Sequence, residues 1–274
     1  MLSTRWVASS FRSVLAVWED YAVLVQHFEE AKLDPTRDKK DQCTYDGLQR
    51  KITSTEFVLD LGLMCDALQE LSELSLDLQE RNMDLYRADQ KIKALAQVFE
   101  ERQIISGPYY KIAATAADTK LFKGVSLHKK DCKNDPPIDV KAFYKNLKES
   151  VEQRLLSSED ADLADWARVL DVKQWPDNID THLTFGEAEI RNLSTRLQLN
   201  ERTMIRGFRE YLIEKSVPDK LLPLKIALNT IPISSSEAER GFSQMNLIIT
   251  PTRASLMTTT VSSLLFIRLV GPPL

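Results

Sequence analysis

The sequence is poor in the residues that most often mark a fixed chemistry. It has three cysteines, three histidines and eight glycines in 274 residues. Cys43, Cys65 and Cys132 form no C-x-x-C pair, so we expect reduced thiols in an intracellular protein. His128 and Cys132 are the only close His/Cys pair in the sequence, and one pair is too few for a four-ligand zinc site. We therefore expect neither a disulfide framework nor a bound metal.

Several sequence motifs of common enzymes are also missing. The chain has no G-x-G-x-x-G, G-x-x-x-x-G-K-[ST], H-E-x-x-H or G-x-S-x-G, so nucleotide-binding, zinc-protease and serine-hydrolase activities have no support. No apolar run is long enough for a signal peptide or a membrane span. We expect a soluble protein that uses no cofactor and is not an enzyme.

Composition and periodicity favour an all-α fold. Charged residues make up 28% of the chain and hydrophobic residues 43%, and nothing alternates with the period of a strand. We expect a large helical domain with long amphipathic helices. The net charge is -4, whereas a domain that holds DNA by itself has a basic balance, so DNA binding should be weak or absent in this chain.

Apolar spacing predicts where the helices lie. A first helix is expected from about Thr4 to Lys32, and the polar, Pro- and Gly-containing stretch 34–47 reads as a loop. Further helices are expected around 140–155, 163–170 and 204–212. Thr184 with Glu187 forms a candidate capping box for another helix.

A heptad pattern predicts one long helix from about Thr55 to Gln103. Its first apolar position recurs every seven residues, at Phe57, Met64, Leu71, Leu78, Leu85, Ile92 and Phe99. The second position is polar at Ser75, Asn82 and Asp89, which favours a helix docked in a globular domain. The alternative is a coiled-coil dimer in which Asn82 sets the register.

The last 45 or so residues hold the most informative pattern. Ser236 and Glu239 form a capping box, so a helix should begin near Ser236, carry Phe242, Met245 and Ile249 on one face, and stop before Pro251. A second helix should begin near Thr258 and is apolar on almost every side. Such a helix must be buried, either in its own domain or against another subunit.

This pattern resembles the C-terminal dimerisation region of hAT-type DNA transposases. The residues that carry the resemblance are Ser234, Ser235, Ser236, Glu239, Arg240, Phe242, Ser243, Arg253, Leu256, Leu264 and Leu265. Arg5 and Trp6 resemble the Arg-Trp pair near the start of the helical insertion domain of the same family. The resemblance implies a helical insertion-like domain over 1–217 and a dimerisation region over 218–274, whose helices complete an RNase H-like fold in an intact transposase.

The resemblance also implies what the chain lacks. The family's catalytic centre uses two aspartates before the insertion and one glutamate after it. Glu239 is a vestigial match to that glutamate, and no residue precedes Met1 to supply the aspartates. One carboxylate cannot hold the paired metal ions of strand transfer, so Glu239 is read mainly as a capping residue. By the same resemblance, Arg5 and Trp6 are candidate DNA contacts, although Trp6 also fits ordinary core packing.

We therefore expect a catalytically inactive dimerisation module of a truncated or domesticated hAT transposase. Its partner is expected to be a second copy or a related transposase-like protein, in the nucleus by family resemblance and away from membranes. One alternative is the C-terminal part of an active transposase or nuclease; another is a SUMO-ligase-like scaffold, for which no RING-like Cys/His framework is present. The residues expected to carry dimerisation are Phe242, Met245, Ile249, Val261, Leu264, Leu265 and Ile267.

Overall fold

The computed structural model describes residues 2–80, 83–129, 137–156, 161–177, 184–234, 236–250, 253 and 255–270, without the side chains of 2–6, 161, 236–240 and 269–270. In these ranges the chain is mostly helical, which confirms the all-α expectation. The only sheet in the described part is a hairpin of β1 (Leu121–Phe122) and β2 (Val125–Ser126). No described helix is long and apolar enough to cross a membrane.

Contacts divide the chain into two compact units. Unit 1 comprises 1–76 and 89–161, and unit 2 comprises 77–88 and 162–274. The chain therefore passes into unit 2, back into unit 1 and into unit 2 again. This division does not coincide with the expected boundary after Val217, which stays a prediction.

Unit 1 contains helices α1 to α7 and the β-hairpin. In chain order its helices are α1 (Leu2–Glu19), α2 (Tyr21–Leu33), α3 (Lys39–Ile52), α4 (Thr55–Asp77), α5 (Leu85–Arg102), α6 (Pro108–Thr119) and α7 (Val140–Val151). The first residues of α5 belong to unit 2. A buried cluster of this unit includes Trp18, Tyr21 and Phe122. The rings of Trp18 and Tyr21 each meet the ring of Phe122 edge to face, with centroids 4.9 and 4.7 Å apart. The hydroxyl of Tyr21 donates to the carbonyl of Ile52 at 2.7 Å, which ties α2 to the end of α3.

The predicted first helix and first loop are both partly wrong. The helix is interrupted at Asp20, which separates α1 from α2. Most of the stretch expected to be a loop belongs to α3, because the side chain of Asp38 accepts the N–H of Asp41 at 2.7 Å and caps the first turn. Composition alone missed this helix, since α3 is polar on most of its surface and is held by its cap and by α2.

The predicted single helix over 55–103 is also wrong. The chain leaves helical geometry after Asp77 and begins α5 at Leu85. Asp84 caps the new helix by accepting the N–H of Arg87 at 2.8 Å. The interruption falls where the second heptad position turns polar, so no continuous apolar seam holds the two halves in one helix. Asn82, the proposed register residue, lies outside the described residues.

In its described part after residue 161, unit 2 contains six α-helices. They are α8 (Ala161–Ala167), α9 (Glu187–Arg196), α10 (Glu201–Glu214), α11 (Leu222–Asn229), α12 (Ser236–Ile248) and α13 (Thr258–Val270). Phe208 and Leu212 on α10 are fully buried against Ile190 and Leu193 on α9. The helix expected over 204–212 is confirmed as part of α10.

The expected capping box at the start of α9 is wrong. The residue before the helix is Gly186, with φ of 72°, and the side chain of Thr184 makes no capping bond; its carbonyl accepts the N–H of Glu187 instead. A left-handed φ favours glycine because it has no Cβ. A Cβ at this position would also lie 2.9 Å from the ring of Phe208, so the position needs glycine for two reasons.

Candidate interaction surface

The two C-terminal helices form what we call the C-terminal hairpin, made of α12 and α13. Their observed starts at Ser236 and Thr258 confirm the sequence prediction, and α12 ends at Ile248, before Pro251. Glu239 lies in α12, and its side chain, like the expected capping box, falls outside the described residues. Pro251 lies outside them too.

The seam of the C-terminal hairpin is narrow. Ile248 on α12 is 4% exposed and Val261 on α13 is 9% exposed, and the two helices pack against each other. The guanidinium of Arg268 donates to the side-chain oxygen of Gln244 at 3.2 Å, which adds a polar link between the helices. Among the described residues, neither helix contributes a buried side chain to the core of unit 2, whose members run from Leu163 to Leu228.

The C-terminal hairpin and the residues that flank its two helices carry large apolar side chains in solvent. We call this set the hairpin surface; its exposed members are Phe242, Leu247, Ile249, Met257, Phe266 and Ile267. Phe266 is 65% exposed and Met257 is 71% exposed. A single exposed apolar residue is ordinary, but a cluster of large ones on one supersecondary element is typical of a contact surface.

The residues expected to carry dimerisation divide between this surface and the seam. Phe242, Ile249 and Ile267 are exposed, Met245, Leu264 and Leu265 are half-buried, and Val261 lies in the seam. Sequence analysis did not single out Leu247, Met257 or Phe266. Phe266 and Ile267 both belong to the apolar run that predicted a buried helix. A run that is apolar on all sides does not show which of its members face outward.

The helical register explains which face of α12 is free. Phe242, Met245 and Ile249 follow a spacing of three and four residues and share one face of the helix. The residue that fits into the seam is the adjacent Ile248. The apolar stripe predicted from the sequence is thus exposed or half-exposed, whereas the adjacent Ile248 is buried.

Charge on this segment is sparse and of one sign. From Gly241 to Val270 the sequence has two arginines, Arg253 and Arg268, and no acidic residue. Arg268 already contacts Gln244. The preceding residues of α12 add Glu237, Glu239 and Arg240, so the charge is sparse only from Gly241 onward.

The other candidate site residues lie in other parts of the sequence. Arg5 and Trp6 lie in α1, in unit 1, and their side chains are outside the described residues. Within the described part of the chain, no three His, Cys, Asp or Glu residues are grouped so that they could hold a metal ion. Cys65 is buried, Cys43 is exposed, and Cys132 lies outside the described residues. Comparisons with models of protein families, with curated proteins and with solved structures found no match to this chain.

Proposed function

We propose that this chain acts as a protein dimerisation module whose contact is the hairpin surface. The observation that carries the proposal is the exposure of large apolar side chains on both helices of the C-terminal hairpin. Leaving such a surface in water forfeits about 25 cal/mol for each Å² that a partner would cover. The surface therefore favours association of the chain over a stable monomer.

A second copy of the chain is the partner that best fits the chemistry. A two-fold contact brings the same patch together from both subunits, so it needs self-complementarity. The six residues that define the hairpin surface are all uncharged, so their side chains can interdigitate with those of a second copy without a charge pair. The contact would place Arg253 and Arg268 at the rim, where water remains available to them.

The resemblance to hAT transposases supports the same proposal. In that family the corresponding helices complete an RNase H-like fold and take part in dimerisation. We propose that this chain is a domesticated or truncated member that associates with itself or with a related protein in the nucleus and does not catalyse strand transfer. The resemblance assigns the dimerisation role to the segment in which the exposed apolar side chains lie.

The experiment is light scattering behind size exclusion on the 274-residue chain and two matched variants. Ile267 on the hairpin surface is 54% exposed and Ile226 on α11 is 60% exposed. Ile267→Asp should weaken the dimer by about 2 kcal/mol, about thirtyfold in Kd, because it leaves a charge in an apolar contact. Ile226→Asp should leave the dimer intact.

A shortened chain that ends at Asn229 separates the element from the rest of the protein. It keeps every buried member of the unit 2 core through Leu228. We expect it to be a folded monomer by circular dichroism and light scattering. A monomeric full-length chain at tens of micromolar, or equal effects of the two aspartate variants, would reject the dimerisation proposal.

A further inference from the structure

Unit 2 contains a cleft whose lining includes no residue of the C-terminal hairpin. It encloses about 340 Å³ and lies between the start of α5, the chain after α8, the end of α10 and α11. Ligand-binding clefts in proteins start at roughly 300 Å³. The cleft is therefore large enough for a small organic molecule.

The floor of the cleft is apolar and already packed. Ala167, Leu221 and Leu228 line it, and each is less than a tenth exposed. These side chains belong to the buried core of unit 2, so the floor does not need to form when a ligand arrives. An apolar ligand body would replace water over these side chains, which is the favourable term for binding.

One wall of the cleft is an aromatic side chain held in place. The hydroxyl of Tyr211 donates to the carbonyl of Leu170 at 3.3 Å. The Trp175 ring meets the Tyr211 ring edge to face at 5.0 Å, and its indole N–H donates to the carbonyl of Val169 at 2.8 Å. These contacts hold the Tyr211 ring in place. They also put the fluorescent indole of Trp175 next to Tyr211, which a ligand in the cleft would touch.

Tyr211 keeps its proton at neutral pH. Burial raises the pKa of its phenol, and the neighbouring Asp171 carboxylate raises it further. The wall therefore presents a neutral hydroxyl rather than a negative charge to an incoming ligand.

The rim carries two lysines without a partner. Asp84 and Arg87 form an ion pair at 3.3 Å, so their charges offset each other. The carboxylate of Asp171 accepts a hydrogen bond from the backbone N–H of Lys173 at 3.0 Å, within the same tight turn. In the part of the chain that the structure describes, neither the ammonium of Lys173 nor that of Lys225 has a hydrogen-bond or ion-pair partner. With three basic and two acidic residues, the rim has an excess of one positive charge.

We propose that this cleft binds a small amphiphilic carboxylate, with its apolar body on the floor and its carboxylate at the rim lysines. Charge complementarity selects the anionic head, and the size and lining of the cleft select a short chain or a single ring for the body. The side-chain amide of Asn229, one turn after Lys225 on α11, adds a hydrogen-bond donor at the same rim. This inference does not rest on the dimerisation proposal.

Octanoate is the probe that tests the proposal. Titration of the full chain, followed by calorimetry and by indole fluorescence, should show saturable binding of octanoate. Hexanoate should bind about tenfold more weakly, because two methylene groups are removed from the apolar body. Octan-1-ol and octylammonium should bind more weakly than octanoate. Equal binding of octanoate and octan-1-ol would overturn the assignment of the rim lysines.

Two charge variants locate the carboxylate. Lys225→Gln should weaken octanoate binding about fivefold, as expected for a partly exposed charge pair. Arg202→Gln removes an exposed cation from α10, outside the cleft, and should leave binding unchanged. If the two variants bind octanoate equally well, the proposal fails.

A third variant locates the apolar body. Val217→Phe adds bulk to a half-buried residue of the cleft wall and should abolish octanoate binding while thermal unfolding shows that the chain is folded. Ile267→Asp, on the hairpin surface, should bind octanoate with unchanged affinity. Loss of binding in Ile267→Asp but not in Val217→Phe would assign octanoate to the hairpin surface and reject the cleft. Lys225→Gln decides the question by itself if Val217→Phe does not fold.

Discussion

A buried carboxylate organises the first turn of α6 in unit 1. Asp66, on α4, is 3% exposed, and its two oxygens accept the N–H groups of Tyr109 and Tyr110 at 3.0 and 2.9 Å. These are donors that the first turn of a helix cannot satisfy internally. The carbon atom that a side chain would add at Gly107 would lie 2.2 Å from this carboxyl group. Glycine before the helix thus lets the carboxylate approach the backbone.

Replacing this carboxylate should lower stability. Asp66→Asn keeps one acceptor and puts an NH2 group against a backbone N–H, so we expect a loss of about 2 kcal/mol in the free energy of unfolding at pH 7. Urea denaturation measures the loss. Asp118→Asn, the same change at an exposed position of α6, is the control and should shift stability by less than about 0.5 kcal/mol. Equal losses in the two variants would contradict the role of Asp66.

The pH dependence of Asp66→Asn has a definite sign. Burial raises the pKa of Asp66 above its usual 3.8, against the opposing effect of the two backbone hydrogen bonds and of Arg102 and Lys111. Because its pKa is raised, the Asp66 carboxyl binds its proton more tightly in the folded state than in the unfolded state. The stability that comes from this proton binding is fully present below about pH 3.8 and is lost as the pH rises through the raised pKa. The loss caused by Asp66→Asn should therefore be larger near pH 4 than at pH 7. A loss that grows toward pH 7 would show that the hydrogen bonds outweigh burial.

Two glycines should respond oppositely to the same substitution. Gly186 has φ of 72° and a Cβ there would lie 2.9 Å from Phe208, so Gly186→Ala should destabilise the chain by about 2 kcal/mol or more. Gly47 lies inside α3 with nothing within 4 Å of its added Cβ. Gly47→Ala should stabilise the chain by about 0.5–1 kcal/mol, because alanine restricts the unfolded backbone. Thermal unfolding of both variants provides the test, and shifts of the same sign would contradict it.

At the scale of elements, the cap at Asp84 decides where α5 begins. Its carboxylate accepts the N–H of Arg87 at 2.8 Å and pairs with the Arg87 guanidinium at 3.3 Å. Asp84→Ala should cost about 1 kcal/mol, as is typical for the loss of a helix cap. Chemical denaturation gives the change. Asp118→Ala removes an exposed aspartate that caps no helix start and should have little effect, so equal costs would count against the cap.

The C-terminal elements were predictable because their signals are local. In the sequence, the capping pattern at Ser236 and the proline at 251 predicted the two ends of this helix, and the observed α12 runs from Ser236 to Ile248. The outward orientation of the stripe through Phe242 and Ile249 was not predictable. Periodicity identifies an apolar face but carries no information on which neighbour, if any, covers it.

Two errors in the first half of the chain arise where single helix caps override composition. The heptads through Leu78 suggest a continuous helix, but the cap at Asp84 and the polar second seam favour a break. The cap at Asp38 starts α3 inside a stretch whose proline and glycine indicate a loop. The cleft of unit 2 was also missed, because its lining comes from three separate stretches, 84–87, 167–173 and 211–229. Short-range sequence patterns do not show that residues from distant stretches lie close together.

On the scale of the whole molecule, each unit has its own buried cluster. The cluster of unit 1 includes Tyr21, Leu61 and Phe122, and the cluster of unit 2 includes Phe208 and Leu212. Because unit 1 is built from 1–76 and 89–161, its folding requires the chain on both sides of the 77–88 excursion into unit 2. Unit 1 can form only when 1–76 and 89–161 come together and close the intervening segment into a loop. The core of unit 2 lies mostly within one continuous stretch.

Because each unit has its own buried cluster, a destabilising substitution in one unit should lower the stability of that unit more than that of the other. Leu61 is 7% exposed in the cluster of unit 1, and Leu212 is 0% exposed in that of unit 2, so Leu61→Ala and Leu212→Ala form a matched pair. Each should cost about 2–5 kcal/mol locally. In native-state hydrogen exchange, Leu212→Ala should speed exchange in α9 and α10 while α4 keeps its protection, and Leu61→Ala should do the reverse. Uniformly faster exchange in both variants would mean that the two clusters unfold as one cooperative core, because protection in either unit would then be limited by the same opening reaction.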